Sequence, residues 1–263
     1  MEDRKAYYNY LHDIYFPQLP EGHNFDLQLK NPYTWTDYIH LTDGTRVLDP
    51  GYQTRDKLHS NFLFTGLIHN EALVMQFLSC MANQNWLQRF GNVKMLLWIP
   101  NSSAVKIMAR PDTRERAKCS VVRETFCDAK LIATPDDEKS LKSFNNNLLS
   151  NDDPIIFNPK SFSKASKYTL IEFNPKDHDL DAFAWDYVVK QLMASRNTPL
   201  DKSLNHLGPA AADFFVTKIP LNLLGKVPKN LTSEEFKFLL EVFQSWPFKP
   251  DSLLETVSFG KEM

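Results

Sequence analysis

Six basic side chains lie within eighteen positions near the middle of this 263-residue sequence. They are Lys106, Arg110, Arg114, Arg116, Lys118 and Arg123, and only Asp112 and Glu115 oppose them. Clustered Arg and Lys side chains displace counterions from a nucleic-acid backbone. The cluster therefore predicts a ridge that contacts phosphates through Arg110, Arg114, Arg116, Lys118 and Arg123. The same composition is also typical of a solvated surface loop, and both interpretations stay open on composition alone.

The remaining composition excludes several classes of site. The formal net charge of -2 gives no overall attraction to nucleic acid, so binding would need a local basic face. The three cysteines form no CxxC pair, which is typical of buried free thiols rather than of a zinc site. Signatures of hydrolases, P-loop proteins, zinc proteases and EF-hands are absent from the sequence. No apolar run approaches the roughly 20 residues that a membrane span needs.

The first half of the chain alternates helical and strand patterns. Apolar spacing predicts a helix over 2–16 and a strand over 25–29. A second strand is predicted over 61–68, followed by a helix over 71–90 that Gly91 would end.

A nearly continuous apolar run over 93–99, broken only by Lys94, is typical of a strand that is covered on both faces, as in a parallel sheet. A short helix should follow, capped by Ser102 or Ser103 and ended by Pro111. Further strands are predicted over 120–127, 129–133 and 168–173. Strands that alternate with helices in this way predict an open α/β sheet.

The composition changes twice in the second half. Residues 134–153 are rich in Asn and Asp and predict a polar loop. The pattern after residue 179 is helical, over 181–195, 199–215 (interrupted at Gly208-Pro209) and 232–245. We therefore predict two domains, an α/β domain over 1–178 and a small helical domain over 179–263.

Several of these segments resemble the rRNA adenine N6-dimethyltransferase family. Ala109-Arg110-Pro111, a basic loop and then Cys119-Ser120-Val121-Val122 are similar to a helix end and a following strand in that family. Phe157-Asn158-Pro159-Lys160-Ser161-Phe162 is similar to its Phe-x-Pro-x-x-Phe segment. Arg196-Asn197-Thr198-Pro199-Leu200 approximates its basic helical signature. The resemblance implies a Rossmann-like methyltransferase sheet with a helical domain. Lys160 and Lys164 are weaker candidates for phosphate contacts.

Within that superfamily, the sequence resembles the fungal mitochondrial RNA polymerase specificity factors, the transcription factor B group, over nearly its whole length. The similar segments are Met75–Cys80, Asn85–Gly91, Val93–Pro100, Cys119–Glu124 and Ser245–Pro250. Methyltransferase chemistry has no requirement for the last of these, Ser245-Trp246-Pro247-Phe248-Lys249-Pro250. We predict that Trp246 and Phe248 anchor the helical domain.

The positions that would hold S-adenosylmethionine depart from the enzyme pattern. The resemblance places Glu2 at the ribose carboxylate and Asn31 at an Asp that contacts adenine. Leu67 lies in Gly66-Leu67-Ile68-His69, where the enzymes have Asn-(Leu/Ile)-Pro-(Tyr/Phe) for the flipped adenine. The glycine-rich loop has no counterpart in the sequence. We therefore expect no cofactor, and S-adenosylmethionine only if the ancestral site survives.

By the resemblance, the sequence enters the family pattern near the end of the second strand. The first strand of this fold lies between its second and fourth strands, so its loss would leave two buried edges without partners. We therefore expect the sequence to be part of a longer protein.

The resemblance implies a factor that helps a single-subunit mitochondrial RNA polymerase to recognise and melt promoter DNA. It thereby implies a mitochondrial location and contact with DNA, with RNA as a further ligand and no membrane. The alternative is an active rRNA adenine dimethyltransferase acting on small-subunit rRNA. A third interpretation is an RNA-binding scaffold for ribosome assembly.

Overall fold

The computed structural model describes residues 1–45, 47–137, 141–142, 144, 146–161 and 168–250. The chain divides into two compact units, Met1–Gly51 and Tyr52–Met263. The domain boundary predicted after residue 178 lies inside the second unit and stays a prediction.

The first unit is built from short helical segments. Helix α1 spans Lys5–Tyr10 and continues as a π-helical turn over Leu11–Tyr15, so a helix near 2–16 is confirmed. Helix α2 spans Trp35–Ile39. The strand predicted over 25–29 is wrong, because this segment makes only one bridge, between Glu2 and Leu29. Phe25 is 67% exposed, so the alternating pattern faces no core there.

Five strands form one sheet in the described part of the second unit. They are β1 (Leu58–Leu67), β2 (Asn92–Pro100), β3 (Cys127–Pro135), β4 (Ile155–Phe157) and β5 (Tyr168–Pro175). Their spatial order is β1-β2-β5-β3-β4. The pairs β1–β2 and β3–β4 are parallel, whereas β5 runs antiparallel to both of its neighbours. The predicted open α/β sheet is confirmed, and it is mixed rather than wholly parallel.

Strand β2 shows how the apolar run is used. Val93, Met95, Leu97 and Ile99 are buried on one face, while the alternate residues, including Lys94, are half-buried on the other. Helices pack on the first face, which explains the full burial of its side chains. On the second face the Lys94 ammonium lies 3.1 Å from the Glu172 carboxylate of β5.

Helix α3 spans Glu71–Asn83, and the Asn70 side chain caps it by accepting from the Ala72 amide at 2.8 Å. The helix predicted to reach Phe90 ends earlier, because Gln84 adopts a left-handed conformation with φ of 50°. A 3-10 turn over Trp86–Phe90 follows. Gly91, with φ of 132°, ends that turn, where a Cβ would lie 2.9 Å from the Gln53 carbonyl oxygen.

Helices α4 (Asn101–Met108) and α5 (Lys118–Phe126) flank the basic loop. The predicted cap by Ser102 or Ser103 is wrong, since α4 already begins at Asn101 and Ser102 Oγ donates to the Glu71 carboxylate.

The strand predicted over 120–127 is also wrong. Val121, Val122, Thr125 and Phe126 are buried at the spacing of one helix face, so this segment packs as part of α5. Strand β3 therefore begins only at Cys127.

The predicted polar loop over 134–153 is partly helical. Strand β3 continues to Pro135, and helix α6 spans Asn146–Asp152. The Asp152 carboxylate accepts from the Leu131 amide of β3 at 2.7 Å, which ties α6 to the sheet. The helix could not be predicted from the polar composition, because contact with the sheet stabilises it.

Among the described residues 176–250, every regular element is helical. The α-helices are α7 (Ala182–Ala194), α8 (Leu200–Ser203), α9 (Ala211–Val216), α10 (Leu221–Leu224) and α11 (Ser233–Ser245). A 3-10 turn over Pro228–Asn230 precedes α11. The helices predicted over 181–195 and 232–245 are confirmed. The stretch predicted over 199–215 is interrupted at Gly208-Pro209 as predicted, and its first part is further divided into an α-helical and a 3-10 piece. We call residues 179–250 the helical part.

Trp246 confirms half of the predicted anchor. Its indole is fully buried at the end of α11, where it contacts the rings of Phe215 and Phe243. Phe248 does not share this role, because it is 76% exposed. Pro247 separates the two rings and ends the helix, so the chain turns away from the core after Trp246.

Candidate nucleic-acid interface

The loop between α4 and α5 presents two of the predicted cations to solvent. Arg114 is exposed and Arg110 is half-buried, and neither forms an ion pair with another described residue. The loop turns through Asp112, whose φ is 69°, and Thr113 Oγ1 donates to the Arg110 carbonyl at 2.8 Å. These local bonds fix the backbone under both arginines, which suits them to phosphate contact.

Arg116 must leave the predicted phosphate-contacting set. Its side chain is 0% exposed, and it forms a 2.5 Å ion pair with the Glu124 carboxylate. It also donates to the Ala109 and Leu231 carbonyls at 3.2 and 2.9 Å. Burial lowers the pKa of this guanidinium, and Glu124 opposes that shift. The side chain therefore holds the fold together from inside and offers no donor to a ligand.

Lys118 and Arg123 are partly committed to other groups. The Lys118 ammonium lies 2.5 Å from the Asp186 carboxylate of α7, and Arg123 Nε donates to the Ile107 carbonyl at 3.1 Å. Both side chains are half-buried. Their phosphate contacts stay predictions, with less free charge to offer than Arg110 and Arg114.

Lys160 is exposed on the 3-10 turn Pro159–Ser161 that follows β4, and the Asn158 side chain accepts from its amide at 2.9 Å. Lys164 lies outside the described residues, as does Phe162 of the predicted Phe-x-Pro-x-x-Phe segment.

The positions predicted for S-adenosylmethionine carry little that could hold it. In the first unit, the Glu2 carboxylate accepts from the amide, Nε and Nη2 of Arg4. These bonds lower the pKa of Glu2 and occupy its oxygens. Asn31 Oδ1 accepts from the Tyr33 amide at 2.9 Å. In the second unit, Leu67 is an apolar side chain, 48% exposed. These residues do not fit the cofactor, because the polar groups are bound locally and the third position has none.

A cluster that the sequence analysis did not assemble lies where parallel strands end. His69 follows β1, and its Nδ1 lies 2.5 Å from the hydroxyl of Tyr168 at the start of β5. Trp98, near the end of β2, contacts Phe157 of β4 with ring centroids 5.8 Å apart. We call His69, Trp98, Phe157 and Tyr168 the strand-end cluster. In open α/β sheets, ligands bind at the carboxyl ends of the strands. Part of the signal was present in the sequence, because His69, Trp98 and Tyr168 lie at or next to an end of a predicted strand. Strand β4, which carries Phe157, was not predicted.

Other chemistries find little support in the described residues. Burial raises the pKa of Cys80 and of Cys127 to about 12, so both thiols stay protonated and unreactive at neutral pH. No group of three or more His, Cys, Asp or Glu side chains within the described ranges is arranged to hold a metal ion. Over the same ranges, the structure has no helix with the length and apolar character of a membrane span.

Comparison with known proteins gives the chain a family. Residues 1–241 match the model of the ribosomal RNA adenine dimethylase family. The chain is 40% identical over 269 residues to mitochondrial transcription factor 1 of Lachancea kluyveri, covering 100% of this chain and 78% of that protein. It is also 40% identical over 263 residues to mitochondrial transcription factor 1 of Saccharomyces cerevisiae (strain ATCC 204508 / S288c), covering 98% of this chain and 75% of that protein.

Among solved structures, a dimethyladenosine transferase from Plasmodium falciparum matches with a TM-score of 0.48 and 13% identity, covering 71% of this chain and 69% of that one. The resemblance drawn from the motifs is confirmed by the family match and by the two transcription factors. The chain therefore belongs to the ribosomal RNA adenine dimethylase family, and its similarity over nearly its whole length is to members named mitochondrial transcription factor 1.

Proposed function

We propose that this chain is a mitochondrial transcription-initiation factor that helps a single-subunit RNA polymerase to recognise and open promoter DNA. The observation that carries the proposal is the 40% identity to proteins named mitochondrial transcription factor 1 over 98–100% of the chain. The proposed mitochondrial location and the proposed polymerase partner rest on the same sequence identity.

The site geometry supports a nucleic-acid role without methyl transfer. Arg110 and Arg114 offer charge to a phosphate backbone, and the strand-end cluster offers aromatic rings on which an unpaired base can stack. Glu2, Asn31 and Leu67 offer poor anchorage to S-adenosylmethionine. A fold of the kind that takes a base out of a duplex is suited to holding a melted strand.

Run-off transcription tests the proposal. The cognate polymerase is assayed on a linear duplex promoter and on the same promoter with the start site already melted, with and without this protein. We expect stimulation on the duplex and little on the melted template, because opening is the step assisted. Equal stimulation on both templates, or none from a sample shown to be folded by circular dichroism, contradicts the proposal.

Removing the two free cations is expected to weaken DNA binding in a salt-dependent way. The double variant Arg110→Ala/Arg114→Ala loses two phosphate contacts, so the slope of log K against log salt concentration becomes shallower by about 1.8. Fluorescence anisotropy with a labelled duplex between 50 and 200 mM salt (roughly the range where this dependence is steep) measures the slope. The matched control is Lys202→Ala/Lys218→Ala, which removes two exposed charges from the helical part. Equal slopes for both double variants count against this interface.

The second candidate function is rRNA adenine dimethylation, which the family match over residues 1–241 favours. It predicts transfer of labelled methyl groups from S-adenosylmethionine to small-subunit rRNA. Methyl incorporation together with inactivity in run-off transcription would favour this candidate over the first. RNA binding with neither activity would instead favour an assembly scaffold.

A further inference from the structure

The basic loop is bonded from behind to the helical part. The Asp112 amide donates to the Lys229 carbonyl at 3.3 Å, and Arg116 Nη2 donates to the Leu231 carbonyl at 2.9 Å. In return, Arg196 Nη1 donates to the Arg116 carbonyl at 2.6 Å. These bonds join segments that lie 80 to 117 positions apart in sequence, so the helical part adds to the local bonds that hold the shape of the loop.

This arrangement brings a further cation to the loop. The Lys229 carbonyl accepts from the Asp112 amide. Asp112 lies between Arg110 and Arg114 in the sequence of the loop. The Lys229 side chain is half-buried and forms no ion pair with the described residues. Its backbone is fixed on both sides, because its amide donates to the Arg196 carbonyl at 3.1 Å. Asp112 and Glu115 are exposed acids at the same place and reduce the local charge.

We propose that Lys229 is a phosphate contact alongside Arg110 and Arg114, and that the buried Arg116 is the positioning residue which assembles the three. This inference rests on the proposed nucleic-acid role and extends that surface onto the helical part. We call Arg110, Arg114 and Lys229 the junction surface. Its ligand is the sugar-phosphate backbone of DNA, recognised by charge and spacing rather than by base sequence.

Arg116 is suited to this positioning role by the planar fork of its donors. One guanidinium bonds the end of α4 at the Ala109 carbonyl, the segment before α11 at the Leu231 carbonyl, and Glu124 of α5. A lysine carries the same charge on one nitrogen and cannot span all three groups. Arg116→Lys therefore removes these bonds while it keeps the positive charge. Its effect on DNA binding reports the positioning of the loop and not a change in net charge.

The experiment measures the salt dependence of DNA binding for single variants of the full chain. Lys229→Ala is expected to make the slope of log K against log salt shallower by about 0.9, the value for one phosphate contact on duplex DNA. Arg116→Lys is expected to make the slope shallower by more than that, since Arg110 and Arg114 lose their placement. Glu115→Gln is expected to tighten binding, because it removes an opposing charge without touching the fold. The probe is a labelled duplex of about 30 base pairs, so that bending and end effects stay small.

Two comparisons keep a loss of stability apart from a loss of placement. Phe215→Leu removes buried ring atoms from α9 and serves as a destabilised control with all charges kept. All variants are measured at a temperature where circular dichroism shows them folded. A changed slope in Arg116→Lys with an unchanged slope in Phe215→Leu supports the positioning role.

The outcomes separate this inference from the proposed function. If Arg114→Ala makes the slope shallower while Lys229→Ala and Arg116→Lys leave it unchanged, the loop binds DNA but the proposal of a junction surface is wrong. If the unaltered protein shows no salt-dependent DNA binding, the proposed interface itself fails. If Lys229→Ala makes the slope shallower by the amount expected for one phosphate contact, the proposal of the junction surface is supported.

Discussion

Replacing Trp246 with alanine is expected to lower the free energy of unfolding by about 3–5 kcal/mol. The indole is fully buried between Phe215 and Phe243, with ring centroids 6.5 and 6.1 Å away. Its other side is closed by Gly208, where a Cβ would lie 3.0 Å from the indole ring. Truncation leaves a cavity that this fixed backbone, with φ of 144° at Gly208, cannot fill.

Urea denaturation followed by circular dichroism measures this loss as a lower midpoint at an unchanged dependence on denaturant. The matched control is Phe248→Ala, two residues away and 76% exposed, for which we expect a change within about 0.5 kcal/mol. Equal losses for the two variants would show that the ring of Phe248 packs on the core in solution and that Trp246 alone is not the anchor.

The second large effect is expected from Glu124→Ala, about 3 kcal/mol of destabilisation. The Arg116 guanidinium stays fully buried in this variant and loses the carboxylate 2.5 Å away. Its bonds to the Ala109 and Leu231 carbonyls remain, but they do not neutralise a buried charge. The estimate lies at the low end because the Glu124 side chain is 23% exposed and water can reach the site.

A double-mutant cycle isolates the pair. Arg116→Met/Glu124→Ala removes both charges and is expected to recover part of the loss, because no unpaired ion is then buried. Recovery is incomplete, since the two carbonyls lose their donor. The control is Glu115→Ala, which removes an exposed carboxylate nine positions earlier and should be nearly neutral. A Glu124→Ala variant as stable as Glu115→Ala would refute the role of the pair.

Periodicity was a good guide wherever one face of an element packs on the core. Strands β1, β2 and β5 and helices α7 and α11 lie close to the predicted ranges, because burial imposes the apolar spacing. The apolar spacing does not predict whether a strand pairs in parallel or antiparallel. The buried run Val93–Ile99 pairs in parallel with β1 and antiparallel with β5, and both arrangements bury the same side chains.

Segment 120–127 shows a different limit. Its β-branched residues Val121 and Val122 favour a strand when propensity is counted. The packing partner decides otherwise, because the buried side chains follow a helical spacing and Ser120 Oγ accepts from the Ala117 amide at the helix start. Propensity is a weak signal over eight residues, and tertiary contacts override it.

The candidate site divides in the same way. Charge spacing found Arg110 and Arg114, which local sequence places in an exposed loop. It could not exclude Arg116, because the Leu231 carbonyl that buries this side chain lies 115 positions away in the sequence. It also missed Lys229, which reaches the loop only through the docking of the helical part. Isolated cations are ordinary in a sequence, and only the fold brings this one to the others.

The position of β5 between β2 and β3 determines when the core can close during synthesis. Without β5, the β1–β2 pair and the β3–β4 pair share no strand among the described residues. Each pair then presents an open edge of amides and carbonyls to other chains. Strand β5 supplies the missing partner to both edges at once and brings the buried Ile171 and Phe173 with it. A nascent chain therefore lacks the strand that joins the two pairs until residue 175 has been synthesised, and the continuous sheet can form only after that point.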